Sequence, residues 1–150
     1  MAILPAQTIR ALGIIEPFSE RTAALGLTYG LSPAGYDVRI AETISLNQGQ
    51  FALASTIEHF SMPADVLGRV CDKSTWARCG LAVQNTVIEP GWRGFLTLEL
   101  TNHAVGVIHI RAGHPIAQII FERLEAPTDQ PYTGRYQDQQ AGPQAARLIA

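Results

Sequence analysis

From Tyr36 onward the sequence is a succession of short apolar runs with partial alternation, separated by Gly, Pro and Asn. Alternation with a period of two, interrupted by turn-forming residues, is typical of β-strands. The chain therefore favours an all-β barrel or a jelly-roll-like sandwich over a helical or parallel α/β fold. The runs expected to form strands are residues 36–40, 51–54, 66–70, 96–100 and 105–110, with a more buried one at 115–121.

Few segments have a helical pattern. Residues 5–12 predict a short helix that Gly13 would end, and residues 74–79 predict a second one inside the chain. Residues 14–18 are expected to form an edge strand broken by a proline, because proline cannot donate a ladder hydrogen bond. Residues 19–33, with two glycines and a proline, are expected to form a loop.

Size and charge limit the class of protein. A chain of 150 residues with 47% apolar residues predicts one globular domain over residues 1–150. The formal net charge of −2 provides no basic field for nucleic acid, so none is expected as a partner. Two cysteines and no apolar leader or membrane-length run predict neither secretion nor a membrane partner, and hence a cytoplasmic protein.

Between residues 72 and 102 the chain concentrates side chains suited to chemistry. Lys73, Ser74, Thr75 and Arg78 lie within six residues and supply cationic and hydroxyl donors. Such donors form charge-assisted hydrogen bonds with phosphate oxygens. A local site for a polyanion such as a triphosphate is therefore expected here.

Two carboxylates follow in the same segment. Glu89 precedes the turn-forming pair Pro90-Gly91, whereas Glu99 lies inside the strand-like run FLTLEL. A carboxylate within a strand is costly to bury unless it has a partner. Glu99 is therefore the stronger candidate for a catalytic acid or base, and a solvent-facing strand glutamate is the alternative.

Four separated motifs in family order, and two end segments, resemble the dCTP deaminases and the trimeric dUTPases of the same superfamily. A series of motifs is a far more specific signal than one short pattern. The segments are KSTWARCGL (73–81), TVIEPGWRG (86–94), TLELTN (97–102), AGYDVR (34–39), ILPAQTIRALGIIEPF (3–18) and PYTGRYQDQQAGP (131–143).

The resemblance implies a fold, an assembly and a reaction. It implies a distorted β-barrel of the dUTPase-like type with short helices, in a homotrimer with three interfacial sites. The reaction would be the hydrolytic deamination of dCTP to dUTP and ammonia. Glu99 matches the catalytic glutamate, and Ser74 and Arg78 match residues of the same pocket. The resemblance implies two further ligands. They are the product dUTP, and dTTP, which inhibits some relatives.

The resemblance also suggests substrate contacts. Phosphate contact is the preferred interpretation for Lys73 and Thr75. Helix capping or surface solvation is the alternative. Residues 83–87 are expected to recognise cytosine. Glu89 is expected to hold the sugar or the neighbouring loop. The substrate-binding candidates in this part of the chain are Lys73, Ser74, Thr75, Arg78, Gln84, Asn85, Thr86, Val87 and Glu89.

The polar C-terminal segment has two interpretations. Residues 127–142 are rich in Gln, Gly, Pro and Asp and cannot build a core, so composition alone favours a frayed terminus. The resemblance instead implies that residues 127–150 form a mobile lid over the bound nucleotide. Tyr132, Arg135 and Gln139 would then contact the ligand.

No protein-bound metal is expected at the base. The zinc-dependent deaminases have an H-x-E and P-C-x-x-C signature, which is absent here. Cys71 and Cys79 are eight apart with no histidine nearby, and the four histidines follow no ligand spacing. Magnesium is expected only as the ion that accompanies the triphosphate.

Two other functions stay open. The first is a dUTP diphosphatase, or a bifunctional enzyme that deaminates and then cleaves. Residues 87–94 keep the frame of the diphosphatase motif, but Glu89, Gly91 and Trp92 replace two aspartates and a tyrosine. The second is a non-catalytic, nucleotide-gated regulatory or binding protein built on the same barrel.

Overall fold

β-Strands are the main secondary structure of the protein, whose computed structural model describes residues 2–148. The helices are α1 (Ala6–Leu12) and α2 (Ser74–Ala77). The strands are β1 (Ala2–Ile3), β2 (Ile15–Glu16), β3 (Thr22–Ala24), β4 (Leu27–Ser32), β5 (Gly35–Arg39), β6 (Ile44–Leu46), β7 (Phe51–Ser61), β8 (Val66–Asp72), β9 (Leu81–Val83), β10 (Val87–Ile88), β11 (Arg93–Asn102), β12 (Ile108–Ile110) and β13 (Pro115–Arg123).

Two antiparallel sheets pack around one core. The larger has the order β10-β8-β13-β5-β4-β3, with β1 paired to β13, and the smaller has the order β2-β7-β11-β9. A third, two-stranded antiparallel sheet pairs β6 with β12. Tyr36, Phe60 and Phe121 are among the largest fully buried side chains. The predicted all-β class is thereby confirmed.

Strand β11 positions the site and has a local irregularity. Its residues alternate, with the even-numbered ones buried in the core and the odd-numbered ones on the other face. Its pairing with β7 shifts register between Phe95 and Thr97, as in a β-bulge. The Thr56 hydroxyl accepts a hydrogen bond from the Leu96 N–H there, at 3.0 Å. The bulge thus separates the two halves of β11.

Most predicted elements are confirmed. Helix α1 follows Pro5 and ends at Gly13, whose φ of 61° is the left-handed conformation that glycine adopts readily. Helix α2 is shorter than the predicted segment and ends at Ala77. The run at 51–54 is the beginning of an 11-residue strand. Strand β2 pairs only with β7, so it is an edge strand as predicted.

The predicted loop at residues 19–33 is wrong. Strands β3 and β4 form a hairpin there, joined by Leu25 and Gly26 with φ of 54° and 76°. Two central residues with positive φ are typical of the type I′ turn, which matches the twist of paired strands. Gly30 lies inside β4, where a Cβ would be 2.4 Å from the Glu20 carbonyl oxygen. These glycines therefore serve a hairpin and not a loop.

The predicted strand at 105–110 is only partly correct. Strand β12 begins at Ile108, and residues 105–107 form an exposed loop in which Val105 has 91% of its surface accessible. An apolar run thus need not be buried within its own chain.

No helix within residues 2–148 is both long and apolar enough to cross a membrane.

Candidate active site

Strand β11 presents Glu99 to a cavity of about 550 Å³. Glu99 pairs with Leu53 of β7, and both side chains line this cavity. Thr97 precedes Glu99 by two residues and lines it as well. The other lining residues are Phe51, Thr86, Val87, Ile88, Glu89, Trp92, Leu96, Tyr132, Tyr136, Gln139, Gln144, Ala145 and Ala146.

The Glu99 carboxylate is poorly solvated in this cavity. Its Oε2 atom is buried and has no hydrogen-bond partner within the described part of the chain. Burial raises the pKa of the carboxyl, and the Glu99 backbone N–H opposes that shift. The group therefore holds a proton at higher pH than an exposed glutamate. A carboxyl of this kind suits general acid-base chemistry.

The residues predicted to contact the base are only partly assembled. Thr86, Val87 and Glu89 line the cavity, as expected for a base and sugar site. Gln84 and Asn85 are exposed and do not line it. The Gln84 N–H nevertheless donates to the Glu99 carbonyl oxygen at 3.0 Å, which fixes this loop beside the carboxylate.

The KSTWARC motif lies away from the cavity that contains Glu99. Ser74, Thr75 and Arg78 are exposed on or next to α2, and none of them lines the cavity that contains Glu99. A single chain therefore does not bring the two halves of the predicted catalytic set together.

Lys73 is already paired. Its ammonium donates to Asp37 Oδ2 at 2.8 Å, and the two residues are only 9% and 8% exposed. The pair joins the AGYDVR motif to the start of α2. A lysine has three donors, so phosphate contact by Lys73 stays a prediction in which Asp37 shares the ammonium.

The C-terminal segment packs over the cavity of its own chain. The Trp92 indole donates to the Tyr136 carbonyl at 2.7 Å. The Gln139 amide donates to the Phe95 carbonyl at 2.7 Å and to the Thr97 hydroxyl at 3.1 Å. Gln139 also forms a parallel bridge with Gly94. Tyr132 and Gln139 thus reach the cavity, whereas residues 149–150 of the predicted lid lie outside the described residues.

Several lining residues were not predicted from the sequence. Thr97 could have been found, since residues two apart share one face of a strand. Tyr136 and Gln144 belong to the segment already assigned to the lid, where composition gave no sign of which side chains turn inward. Phe51 and Leu53 enter through the register of β7 with β11, which a single sequence does not reveal.

A change at Gly94 should release the tail. Its φ of 144° disfavours other residues, and a Cβ would lie 2.7 Å from the Gln139 backbone nitrogen. Backbone strain of this kind costs about 1–3 kcal/mol. We therefore expect Gly94→Ala to speed tryptic cleavage after Arg135, as followed by mass spectrometry.

Gly106→Ala is the matched control for that experiment. Gly106 also has a positive φ, 96°, but a Cβ there would meet nothing within 4 Å. Equal rates of tail cleavage in the two variants would show that Gly94 does not hold the tail.

Within residues 2–148, no three His, Cys, Asp or Glu side chains form a group that could hold a metal ion. The zinc-free site accordingly stays a prediction from the sequence.

Comparison with solved structures defines the class of fold. The chain superposes on the dUTPase of phage phi11 of S. aureus with a TM-score of 0.60 and 19% identity, covering 79% of this chain and 92% of that one. It also superposes on the EIAV dUTPase with a TM-score of 0.58 and 24% identity, covering 69% and 87%. The fold is therefore dUTPase-like.

Sequence comparison identifies the family within that class. Residues 36–124 match the dCTP deaminase-like family model. The chain is 35% identical to the dCTP deaminase of Acidobacterium capsulatum over 85% of this chain and 88% of that protein. It is 32% identical to the Wolbachia enzyme of the same name over 93% and 95%. The chain belongs to the dCTP deaminase family.

Proposed function

We propose that the protein hydrolyses dCTP to dUTP and ammonia, with Glu99 as the general base and general acid. One observation carries the assignment of Glu99: its Oε2 is a buried carboxylate oxygen without a hydrogen-bond partner in residues 2–148, on a side chain that lines the cavity. The names of the relatives support the choice of substrate.

The reaction needs three proton transfers that one carboxyl group can perform in turn. The ionised Glu99 takes a proton from water as the water oxygen bonds to C4 of cytosine. It then delivers that proton to N3, which gives a neutral tetrahedral intermediate. Transfer of the remaining hydroxyl proton to the amino group, again through Glu99, lets the C4–N4 bond break. Ammonia leaves and the C4 carbonyl of uracil forms.

The cavity provides surfaces for the rest of the nucleotide. Thr86 and Val87 would lie along the base, and Glu89 and Trp92 near the sugar. Arg135 and Gln139 of the tail would close over the phosphates. Magnesium enters as part of the substrate, held by phosphate oxygens and water. A solved phage dUTPase is described with a structural Mg(II) ion.

A second copy of the chain would complete the site. Ser74 and Arg78 are exposed and do not line the cavity of their own chain, although the family motif assigns them to the pocket. The exposed loop with Val105 and Val107 packs beside the end of α2 through Gly80 and Ala104. An exposed apolar loop of this kind is a candidate contact between subunits. The assembly is a C₃ homotrimer in which α2 of one subunit faces the Glu99 cavity of the next.

A dUTP diphosphatase activity is the second candidate function, alone or after deamination. Glu89 lines the same cavity as Glu99, so a second carboxylate is available to activate a water molecule for attack on phosphorus. The cytoplasmic location predicted from the sequence belongs to the same proposal.

The test is incubation of the purified protein with dCTP and Mg²⁺, followed by chromatography of ammonia and nucleotides, with dUTP in parallel. Ammonia with dUTP as the end product is the expected result. Release of dUMP and pyrophosphate would assign the bifunctional or diphosphatase activity. No change in either nucleotide would contradict both enzymatic functions and leave nucleotide-gated regulation.

A further inference from the structure

Two arginines of the tail hold each other across twelve residues. The Arg147 guanidinium donates to the Arg135 carbonyl oxygen at 2.7 Å, and the Arg135 guanidinium donates to the Arg147 carbonyl oxygen. The Arg147 N–H also donates to the Tyr136 hydroxyl at 2.9 Å, and the Arg147 guanidinium lies 5.7 Å from the centre of the Tyr136 ring. We call Arg135, Tyr136 and Arg147 the arginine clasp.

No side-chain carboxylate of residues 2–148 neutralises the positive charge of the clasp. Neither arginine forms an ion pair with a carboxylate in residues 2–148. The sequence from Gln139 to the last residue contains no Asp or Glu. A guanidinium has five N–H donors, and the backbone carbonyls, together with the Gln144 side-chain oxygen 3.4 Å from the Arg147 guanidinium, occupy only part of this set. Two like charges are thus kept together while most of their donors remain available.

The clasp adjoins the cavity that contains Glu99, although neither arginine lines it. Tyr136 lines that cavity, as do Ala145 and Ala146 immediately before Arg147. The lining is otherwise largely apolar, with Phe51, Leu53 and Val87 among its members. A nucleotide whose base lies against Glu99 would have its phosphates nearer the rim than its base. The arginine clasp therefore concentrates the positive charge of the C-terminal segment beside this cavity.

We propose that Arg147 is a triphosphate-binding residue that acts with Arg135 and makes the enzyme select nucleoside triphosphates over monophosphates. The inference rests on the proposed function and assigns a specificity residue to the same site. The family resemblance reaches Arg135 and stops before Arg147. The terminal phosphates provide the charge that the clasp lacks, and guanidinium groups bind phosphate oxygens through paired hydrogen bonds.

This role predicts a split between kinetic constants. In Arg147→Ala the KM for dCTP should rise about tenfold or more, since a charge-assisted hydrogen bond is lost. The turnover number should change little, because Glu99 is untouched. The KM for dCMP should not change, so the preference for triphosphate should fall by the same factor. Arg147→Lys keeps the charge without the planar fork and should recover part of the loss.

Arg111→Ala is the matched control, because Arg111 is exposed and forms no ion pair in the described residues. It removes the same charge without touching the clasp and should leave the preference unchanged. If Arg147 only shaped the tail, Arg147→Ala would raise KM for dCTP and dCMP alike. That result, or unchanged constants, would overturn the inference.

Binding measurements separate this inference from the proposed reaction. Equilibrium dialysis of dCTP and dCMP with the wild-type protein and Arg147→Ala requires no turnover. An unreactive wild type would contradict the deaminase function, whereas loss of selective dCTP binding in Arg147→Ala would still support the phosphate role. Equal dCTP binding by both proteins would refute the role of Arg147.

Discussion

Replacing Glu99 by Gln should reduce dCTP turnover by about a thousandfold or more while the protein still folds and binds dCTP. General acid-base groups contribute about 10²–10⁴-fold each, and Glu99 is assigned every proton transfer of the reaction. Glutamine has the same shape but cannot accept a proton from water. Ammonia release at saturating dCTP measures the loss, and dialysis against dCTP measures binding.

Glu89→Gln is the control for that variant, because Glu89 lines the same cavity. It should change KM more than turnover if Glu89 holds the sugar. Unchanged turnover in Glu99→Gln, or a larger loss in Glu89→Gln, would remove Glu99 from the catalytic role.

The same substitution has a second signature in stability. Burial raises the pKa of Glu99 above its value in the unfolded chain. The stability that this group contributes is therefore present below the unfolded pKa and is lost as pH rises through the folded one. Glutamine does not ionise, so Glu99→Gln should gain Tm relative to wild type as the pH is raised. Parallel Tm curves for the two proteins would show that the carboxylate is not buried.

Mixing two inactive variants should restore activity if sites form between subunits. Glu99→Gln lacks the base and Arg78→Ala lacks the exposed guanidinium of α2, so each alone should be nearly inactive. In trimers reassembled from equal amounts, a site is intact when an Arg78→Ala chain supplies Glu99 and a neighbouring Glu99→Gln chain supplies Arg78. Random assembly makes about one quarter of the sites intact. Ammonia release after co-refolding measures this recovery.

The control mixes Glu99→Gln with the double variant Glu99→Gln/Arg78→Ala, in which no chain supplies the base. That sample should stay inactive. If the first mixture were no more active than its two components, the catalytic set would not span two subunits, and a monomeric mass in solution would support the same conclusion.

The sequence predicted what local pattern controls and missed what depends on register. Alternation located most strands, and the position of Glu99 within a strand-like run singled out the cavity carboxylate that has a buried oxygen without a hydrogen-bond partner in residues 2–148. Gly26, in the turn between β3 and β4, and Gly30, inside β4, are mistaken for loop residues, because a two-residue turn and a close backbone approach use the same amino acid as a loop. The Lys73–Asp37 pair joins residues 36 positions apart, and no local pattern indicates such a contact.

Strand β11 links two functions through a fixed spacing. Gly94 and Phe95 receive the tail before the bulge, and beyond it Thr97 receives the tail and also faces the cavity with Glu99. A single inserted residue would turn the carboxylate toward the core, because side chains alternate along a strand. Protein engineers could lengthen the turn between β3 and β4, whose residues do not line the cavity. The interval from Gly94 to Glu99 would have to keep its length, since it sets both where the lid docks and where the base points.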